Sequence, residues 1–473
     1  MRKMPLRAAA GIVETNRASW VRPKWSPVVS SSVRHSLLAA ALMTSPAFGT
    51  TRVVTSPGDD GDGTCDTSCT LRDAVNESVA DDRILFDLAL PNPLQLDLTG
   101  DPLSINIPMR ITANDGVPTV LRRTGGVGRL IELGPSADVR IVGLGYEDGS
   151  VLSLTSGTSA EGGAILTTTG STLELRDCVF RNNLTAGSVA PTDFGGTIDA
   201  RGGAIAAHGD LLIERCAFVG NRAIGSVGTA GFAEHCDGGD GGSAEGGAIF
   251  ATAATDILNS TFNDNQAIGR VGGFGTVIVN GCSGGDGGDA SGGAIFIANG
   301  GSGTMAFSTL IGNLTQPGAG GAGGVGMTTG PDGAAGVATG TAIRSDGDLL
   351  LNSSVVVGDN VTSTCEGISI TQRTDNLASD TSCPGTETVN LDLQFEPIDS
   401  LDPSPHFTPL PTSDAVDTSP DCLDALGAEA VVLDQLIATR PMTYHAAPVC
   451  DFGAVEFTPV IFSDGFETPP PPP

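Results

Sequence analysis

The chain has 473 residues, 40% of them hydrophobic, with 66 glycines, ten cysteines and 24 basic against 54 acidic side chains, a net charge of −30. A surface this acidic repels nucleic acid and anionic polysaccharide alike unless a cation mediates, so those partners are disfavoured. The apolar residues fall in patterned runs, which excludes a wholly disordered acidic chain.

Residues 1–49 hold seven of the basic side chains against one acid, Glu14, followed by the apolar run from Ser36 to Met43 and by Ser-Pro-Ala-Phe-Gly before Thr50. This is the order of a secretory signal, with cleavage expected after Gly49; a disordered basic arm is the alternative. Beyond it remain 17 basic and 53 acidic side chains, a net charge of −36, with no lysine and no tryptophan. No other apolar run approaches the roughly 20 residues that a membrane-spanning helix needs.

From Arg52 a strand-like Arg-Val-Val-Thr leads through an Asp/Gly-rich loop to Cys65-Asp-Thr-Ser-Cys69-Thr-Leu-Arg-Asp-Ala. Thr70 with Asp73 three residues later predicts a short capped helix. The Cys-x-x-x-Cys-Thr-Leu-Arg-Asp-Ala run, followed by Asp-x-Ile-x-Phe at Asp82 to Phe86, resembles the N-terminal entry segment of secreted bacterial β-helix proteins of the CSLREA type, with Thr70 and Asp73 as conservative departures. That resemblance implies a segment covering the open end of a solenoid, where an edge must be blunted. Residues 50–160 should form this cap and the first coils, with strands at Ile84 to Leu88, Leu103 to Ile107, Arg129 to Leu133, Val139 to Leu144 and Val151 to Leu154.

Residues 161–361 repeat. Gly-Gly-Ala-Ile begins at Gly162, Gly202, Gly246 and Gly292, with Gly-Thr-Ala-Ile at Gly340; sixteen to eighteen residues after each comes an apolar residue, two others and Asn: Phe180 to Asn183, Phe218 to Asn221, Phe262 to Asn265, Leu310 to Asn313 and Val357 to Asn360. A period of 38 to 48 residues, read as two or three short alternating strands per coil with Gly and Asn corners, predicts an all-β, right-handed parallel β-helix. The glycine pair and the Asn should supply positive-φ corners, the asparagines should bond one another up the column, and the Phe positions should form a core ladder. The repeats resemble the polymorphic outer-membrane proteins, whose hallmark is many copies of Gly-Gly-Ala-(Ile/Leu/Val) and Phe-x-x-Asn; the likeness implies a fold and no activity.

Between each Asn and the next Gly-Gly lie insertions, Leu184 to Arg201, Arg222 to Glu245, Gln266 to Ser291 and Leu314 to Thr339. All leave at the same corner, so they should project from one side as a row of loops, the natural place for binding on a rigid scaffold. Two share Cys-x-Gly-Gly-Asp-Gly-Gly, which makes Asp237, Asp240, Asp286 and Asp289 calcium candidates by analogy with Gly/Asp nonapeptide repeats; plain solvated turns are the competing reading, and no other cofactor is indicated.

The cysteines, all beyond the signal, fit an oxidising compartment. Their placement suggests five pairs: Cys65 with Cys69, Cys365 with Cys383, Cys422 with Cys450, Cys236 with Cys282, and Cys178 with Cys216, which share a repeat position about 4.8 Å apart in adjacent coils. A zinc site competes, but no Cys-x-x-Cys is joined by a His at ligand spacing. Residues 362–457 should form a Pro-rich cap whose Arg440-Pro and Cys450-Asp-Phe-Gly-Ala-Val-Glu456 resemble the end of the choice-of-anchor domain. The tail 458–473 carries Ile461-Phe-Ser-Asp-Gly-Phe-Glu467, similar to a terminal motif of exported Gram-negative proteins and readable either as a sorting signal or as an unstructured end.

The functional expectation is a non-enzymatic secreted or cell-surface protein, adhesin-like and monomeric, whose loop row binds a host or matrix protein or a glycan. A polysaccharide lyase, a glycoside hydrolase and a structural spacer are the alternatives. Paired carboxylates are not evident in the repeats, exposed aromatics are scarce (only Tyr146 and Tyr444 as tyrosines), and His208, His235, His406 and His445 stand in no motif.

Overall fold

A computed structural model describes residues 49–188, 196–232, 235–277, 279–359, 361–387, 391–396, 404–440 and 450–457. The expected signal segment, the terminal motif, Asn360, Tyr444 and His445 lie outside these.

The chain is a parallel β-helix. One full coil runs through Ala200–Arg201, Ile205–Ala207, Asp210–Glu214, Ala217–Val219 and Arg222–Ile224, and each strand pairs in parallel register with its counterpart in the next coil: Ala244–Glu245, Ile249–Ala251, Ala254–Leu258, Thr261–Asn263 and Gln266–Ile268. The coil therefore has five short strands, more than the two or three that alternation suggests. The extra pairs flanking each insertion are only two to four residues long, too short for a period to be read.

The first coils hold the expected strands with ends shifted by a residue or two, as at Asp82–Phe86, Leu103–Ile105 and Ile131–Leu133, and add Leu94–Leu98, Met109–Thr112 and Thr119–Arg123. The helix Leu71–Glu77 carries the full capping box, Thr70 N–H to Asp73 Oδ2 at 3.0 Å and Asp73 N–H to Thr70 Oγ1 at 3.1 Å. It buries Leu71, Ala74 and Val75 against Thr51–Val54 and Leu103–Ile105, the two end strands of the largest sheet. The resulting cover over the first coil leaves no long unpaired edge there.

Two inward columns hold the coils together. Tyr146, Phe180, Phe218 and Phe262 stack face to face with centroids 4.5, 4.7 and 4.8 Å apart, all fully buried, and Leu310 and Val356 continue the column. The last member is thus Val356 rather than Val357. Beside them Asn183, Asn221, Asn265 and Asn313 form a ladder, each Nδ2 donating 2.9 Å to the next Oδ1. These asparagines do not take positive φ; the residues before them do, Asn182, Gly220, Asp264 and Gly312 at 53° to 70°. Placing the turn one residue earlier frees the Asn side chain for the ladder. The first glycine of each repeat is left-handed, φ 57° to 67°, and a Cβ on the second would sit 2.0 to 2.3 Å from the next coil's backbone.

Four of the five expected disulfides form: Cys65–Cys69, Cys236–Cys282, Cys365–Cys383 and Cys422–Cys450. Cys178 and Cys216 stack as expected but are buried free thiols. Their column continues as Ser260, Ser308 and Ser354, and each side chain accepts the N–H of the preceding coil, from Cys178 N–H to Cys216 Sγ (3.4 Å) down to Ser308 N–H to Ser354 Oγ (3.2 Å). Each also donates back to the carbonyl two residues earlier. In-register side chains point the same way, so the sulfurs lie one above the other without turning toward each other, and a disulfide needs converging Cβ atoms.

The C-terminal segment packs along the side of the late coils. It docks at a column of left-handed corners, Asn259, Phe307 and Ser353. Arg440 is fully buried, lies 4.4 Å over the Phe307 ring, donates to Asn259 Oδ1 (3.2 Å) and Gly453 O (2.8 Å), and pairs with Glu456. Gln435 Oε1 accepts from Thr261 Oγ1 at 2.6 Å. Arg440 and the Asp451-Phe-Gly-Ala-Val-Glu456 run are therefore the two halves of one buried clamp.

Candidate functional site

Three of the four insertions, 222–245, 266–291 and 314–339, are not solvated turns. Their described residues form three hairpins whose arms are hydrogen-bonded at every third residue. Along the first arm the N–H groups of Gly225, Gly228 and Gly231 donate to the carbonyls of Ile268, Val271 and Phe274 in the next hairpin, at 2.9, 2.9 and 2.8 Å; Gly269, Gly272 and Gly275 repeat this onto Gln316, Ala319 and Ala322. The returning arms do likewise, Gly238 and Gly241 onto Ser283 and Asp286, and Gly284 and Gly287 onto Pro331 and Ala334. Within a hairpin Gly239 donates to Thr229 and Gly242 to Ser226, and diagonally Gly273 donates to Gly239 and Gly321 to Gly285, at 2.7 to 2.8 Å.

A three-residue repeat is the period of polyproline II, a conformation that makes no hydrogen bonds of its own and so has every N–H available to neighbours. Arms bonded on several sides approach so closely that only glycine fits. A Cβ on Gly241 would lie 1.8 Å from Arg270 O, on Gly272 2.0 Å from Gly285 O, and on Gly288 2.0 Å from Gly242 O. None of these three takes positive φ, so close approach rather than turning requires them. The lattice rises from a base of buried alanines, Ala200, Ala223, Ala244 and Ala267, and the Cys236–Cys282 bond ties two hairpins near their ends.

Asp237, Asp240, Asp286 and Asp289 line the exposed returning arms. Each accepts a backbone N–H from the next layer: Ser283 onto Asp237, Asp286 onto Asp240, Ala334 onto Asp286 and Val337 onto Asp289, at 2.7 to 2.8 Å. One oxygen of each is thereby used in holding layers together. The four do not converge as a group; among the described residues the cluster with metal-ligand spacing is Cys236, Asp237 and Cys282, and its two sulfurs are joined in the disulfide.

A second constellation was missed in the sequence, although Glu161, Arg201 and Glu245 each directly precede a repeat's Gly-Gly pair. Glu161, Arg201 and Glu245 form one column, with Arg201 Nη1 3.4 Å from Glu161 and Nε 2.7 Å from Glu245. His208 Nε2 lies 2.9 Å from Glu161, its Nδ1 lies 3.1 Å from Thr252 Oγ1, and the Arg201 guanidinium sits 5.1 Å over the Phe250 ring. Burial pushes the Glu161 carboxyl up, but His208 and Arg201 outweigh it and hold it below the ordinary range; burial leaves Glu245 raised despite Arg201. Two carboxyls set apart in this way are a known device for acid and base work. Here both carboxyls are already engaged by one arginine. Tyr146 is fully buried in the aromatic column, and His406 bonds Ser404 O through Nδ1 at 2.7 Å. An open groove on the largest sheet, lined by Asp256, Thr304, Asp348, Ser369 and Leu426, has Asp256 accepting from Thr304 at 2.6 Å.

No helix of the described residues is long and apolar enough to cross a membrane. No known family matches the sequence, and no curated protein matches it. Among solved structures the chain is similar to the crystal structure of pectate lyase Pel9A, at 13% identity and a TM-score of 0.32, over 87% of this chain and 98% of that one.

Proposed function

We propose that this chain is a non-enzymatic extracellular or cell-surface protein, adhesin-like, that uses the β-helix as a stalk and the glycine lattice as its binding element. The observation that carries the reading is the lattice itself: three insertions held rigid by cross-layer hydrogen bonds and a disulfide stand clear of the coils, and a preordered surface loses little entropy on binding. Four disulfides fit residence in an oxidising compartment. Fractionation of producing cells, followed by binding of the purified chain to matrix-protein and glycan arrays, tests it; retention in the cytoplasm or no array binding counts against it. A calcium ion held by the Asp240 and Asp286 carboxylates is compatible with this reading. A rise in melting temperature with calcium chloride, abolished by Asp240→Asn, would identify it.

Carbohydrate cleavage is the second reading, for which the column Glu161–Arg201–Glu245 supplies two carboxyls flanking one guanidinium in successive coils. It requires that a purified chain release reducing ends or unsaturated products from a polysaccharide panel and that Glu245→Gln abolish this. A structural spacer is left if neither binding nor cleavage is found.

A further inference from the structure

The lattice is made almost wholly of Gly, Ala, Ser, Thr and Asp, yet its outer ends are apolar. Phe232, Phe274, Val277, Val279, Val325 and Met327 are 42%, 62%, 43%, 60%, 76% and 85% exposed. They belong to one surface, because the hairpin ends stack: Gly231 N–H donates to Phe274 O at 2.8 Å, Gly281 N–H to Thr328 O at 2.7 Å, and Met327 N–H to Val279 O at 3.0 Å. Exposed apolar side chains gathered at the ends of hydrogen-bonded hairpins mark an interaction surface, and a flexible Met among them suits an apolar partner. The hairpins 225–243, 269–289 and 317–337 carry six acids and one basic residue, Arg270. Asp237 lies next to the disulfide at one end, and Asp332 anchors another by accepting Gly323 N–H at 2.8 Å.

We infer that the hairpin ends dock a basic, amphipathic protein segment, its apolar side chains against Phe274, Val279 and Met327 and its cationic flanks against the carboxylate rows below. The inference rests on the binding role proposed for the lattice and adds the chemistry of the partner. The acidic rows supply long-range attraction for a cationic partner and repel anionic membranes and glycans, while the ridge supplies the desolvated contact.

The test uses the full exported chain and a fluorescein-labelled amphipathic helical peptide of Leu and Lys, with a Leu/Glu peptide of the same pattern and phosphatidylcholine vesicles as alternatives. Binding of the Leu/Lys peptide, weaker by at least about tenfold in Phe274→Ser/Met327→Ser and falling with salt, supports it. Asp286→Asn/Asp332→Asn, which keeps the side-chain acceptors, should weaken binding and flatten the salt dependence. Equal binding of the Leu/Glu peptide, unchanged binding by the apolar double variant, or uptake by vesicles without peptide binding overturns it. Melting temperature confirms that both variants fold. Cell adhesion separates the two levels: if it is lost when the hairpins are removed but kept in Phe274→Ser/Met327→Ser, only the apolar-ridge inference fails, whereas adhesion that survives hairpin removal overturns the lattice reading as well.

Discussion

Replacing Phe218 with Ala tests whether the aromatic column is the spine of the solenoid. Its ring is fully buried between Phe180 at 4.7 Å and Phe262 at 4.8 Å, nearly parallel to both. Truncating a buried Phe costs about 3–5 kcal/mol from lost transfer energy and the cavity left behind. Each lost stacking contact adds about 0.5–1.5 kcal/mol, and two are lost, so the upper part of that range is expected. Coils above and below are locked by the asparagine and serine ladders, which limits collapse into the cavity. Urea unfolding followed by far-ultraviolet circular dichroism, with Phe218→Leu as the control, measures the effect. Leu310 occupies the same column two coils on, so Leu should cost clearly less than Ala. A loss under about 1 kcal/mol for Phe218→Ala would refute the reasoning.

Gly241→Ala should lower the melting temperature markedly, since its Cβ would lie 1.8 Å from Arg270 O, whereas Gly58→Ala, whose nearest atom is 3.7 Å away, should be nearly neutral; equal effects would dissolve the lattice argument. Cys178 and Cys216 should be alkylated only after unfolding, and Cys216→Ser should be tolerated to within about 1 kcal/mol because Ser260 already fills the next rung; recovery of a Cys178–Cys216 peptide by mass spectrometry would defeat this. The clamp gives a pH dependence: burial raises Asp451 to about 6 and Glu456 to about 7, so the folded state favours their protonated forms. Their contribution is fully present below the unfolded-state pKa and is lost as pH rises through 6 to 7, so the cap should be more resistant to proteolysis at pH 5.5 than at pH 8, with a smaller difference in Glu456→Gln.

The repeats were legible because columns of a β-helix recur as identical residues: Gly-Gly, Phe and Asn appear at fixed offsets since each must fit the coil next to it. The lattice was not, because Gly/Asp-rich runs read as turns. Its signal was present nonetheless in Asp237-Gly-Gly-Asp240-Gly-Gly and its counterpart before Asp289, a three-residue period that marks extended arms. The free thiols show the same lesson. Cys178 and Cys216 looked like a pair when taken alone, but the column extends to Ser260, Ser308 and Ser354, which identifies a position reserved for a small hydrogen-bonding side chain. The Glu161–Arg201–Glu245 column carried a signal too: although 40 and 44 residues separate its members, each directly precedes a Gly-Gly pair, at Gly162, Gly202 and Gly246, and so shares one place in successive coils.

Removing the three hairpins as a set, with short links from Ile224 to Ala244, Ile268 to Ala290 and Gln316 to Ala338, tests the division into stalk and binding element most directly. Taking them together limits the unpaired backbone mainly to the Ile198–Ser226 contact with the first insertion, because most of their cross-layer bonds run from one hairpin to the next while the coils keep their own ladders. Cell adhesion or array binding should be lost while the β-sheet circular dichroism spectrum is retained and the melting temperature stays within several degrees. Binding that survives in the hairpin-free chain would contradict the account.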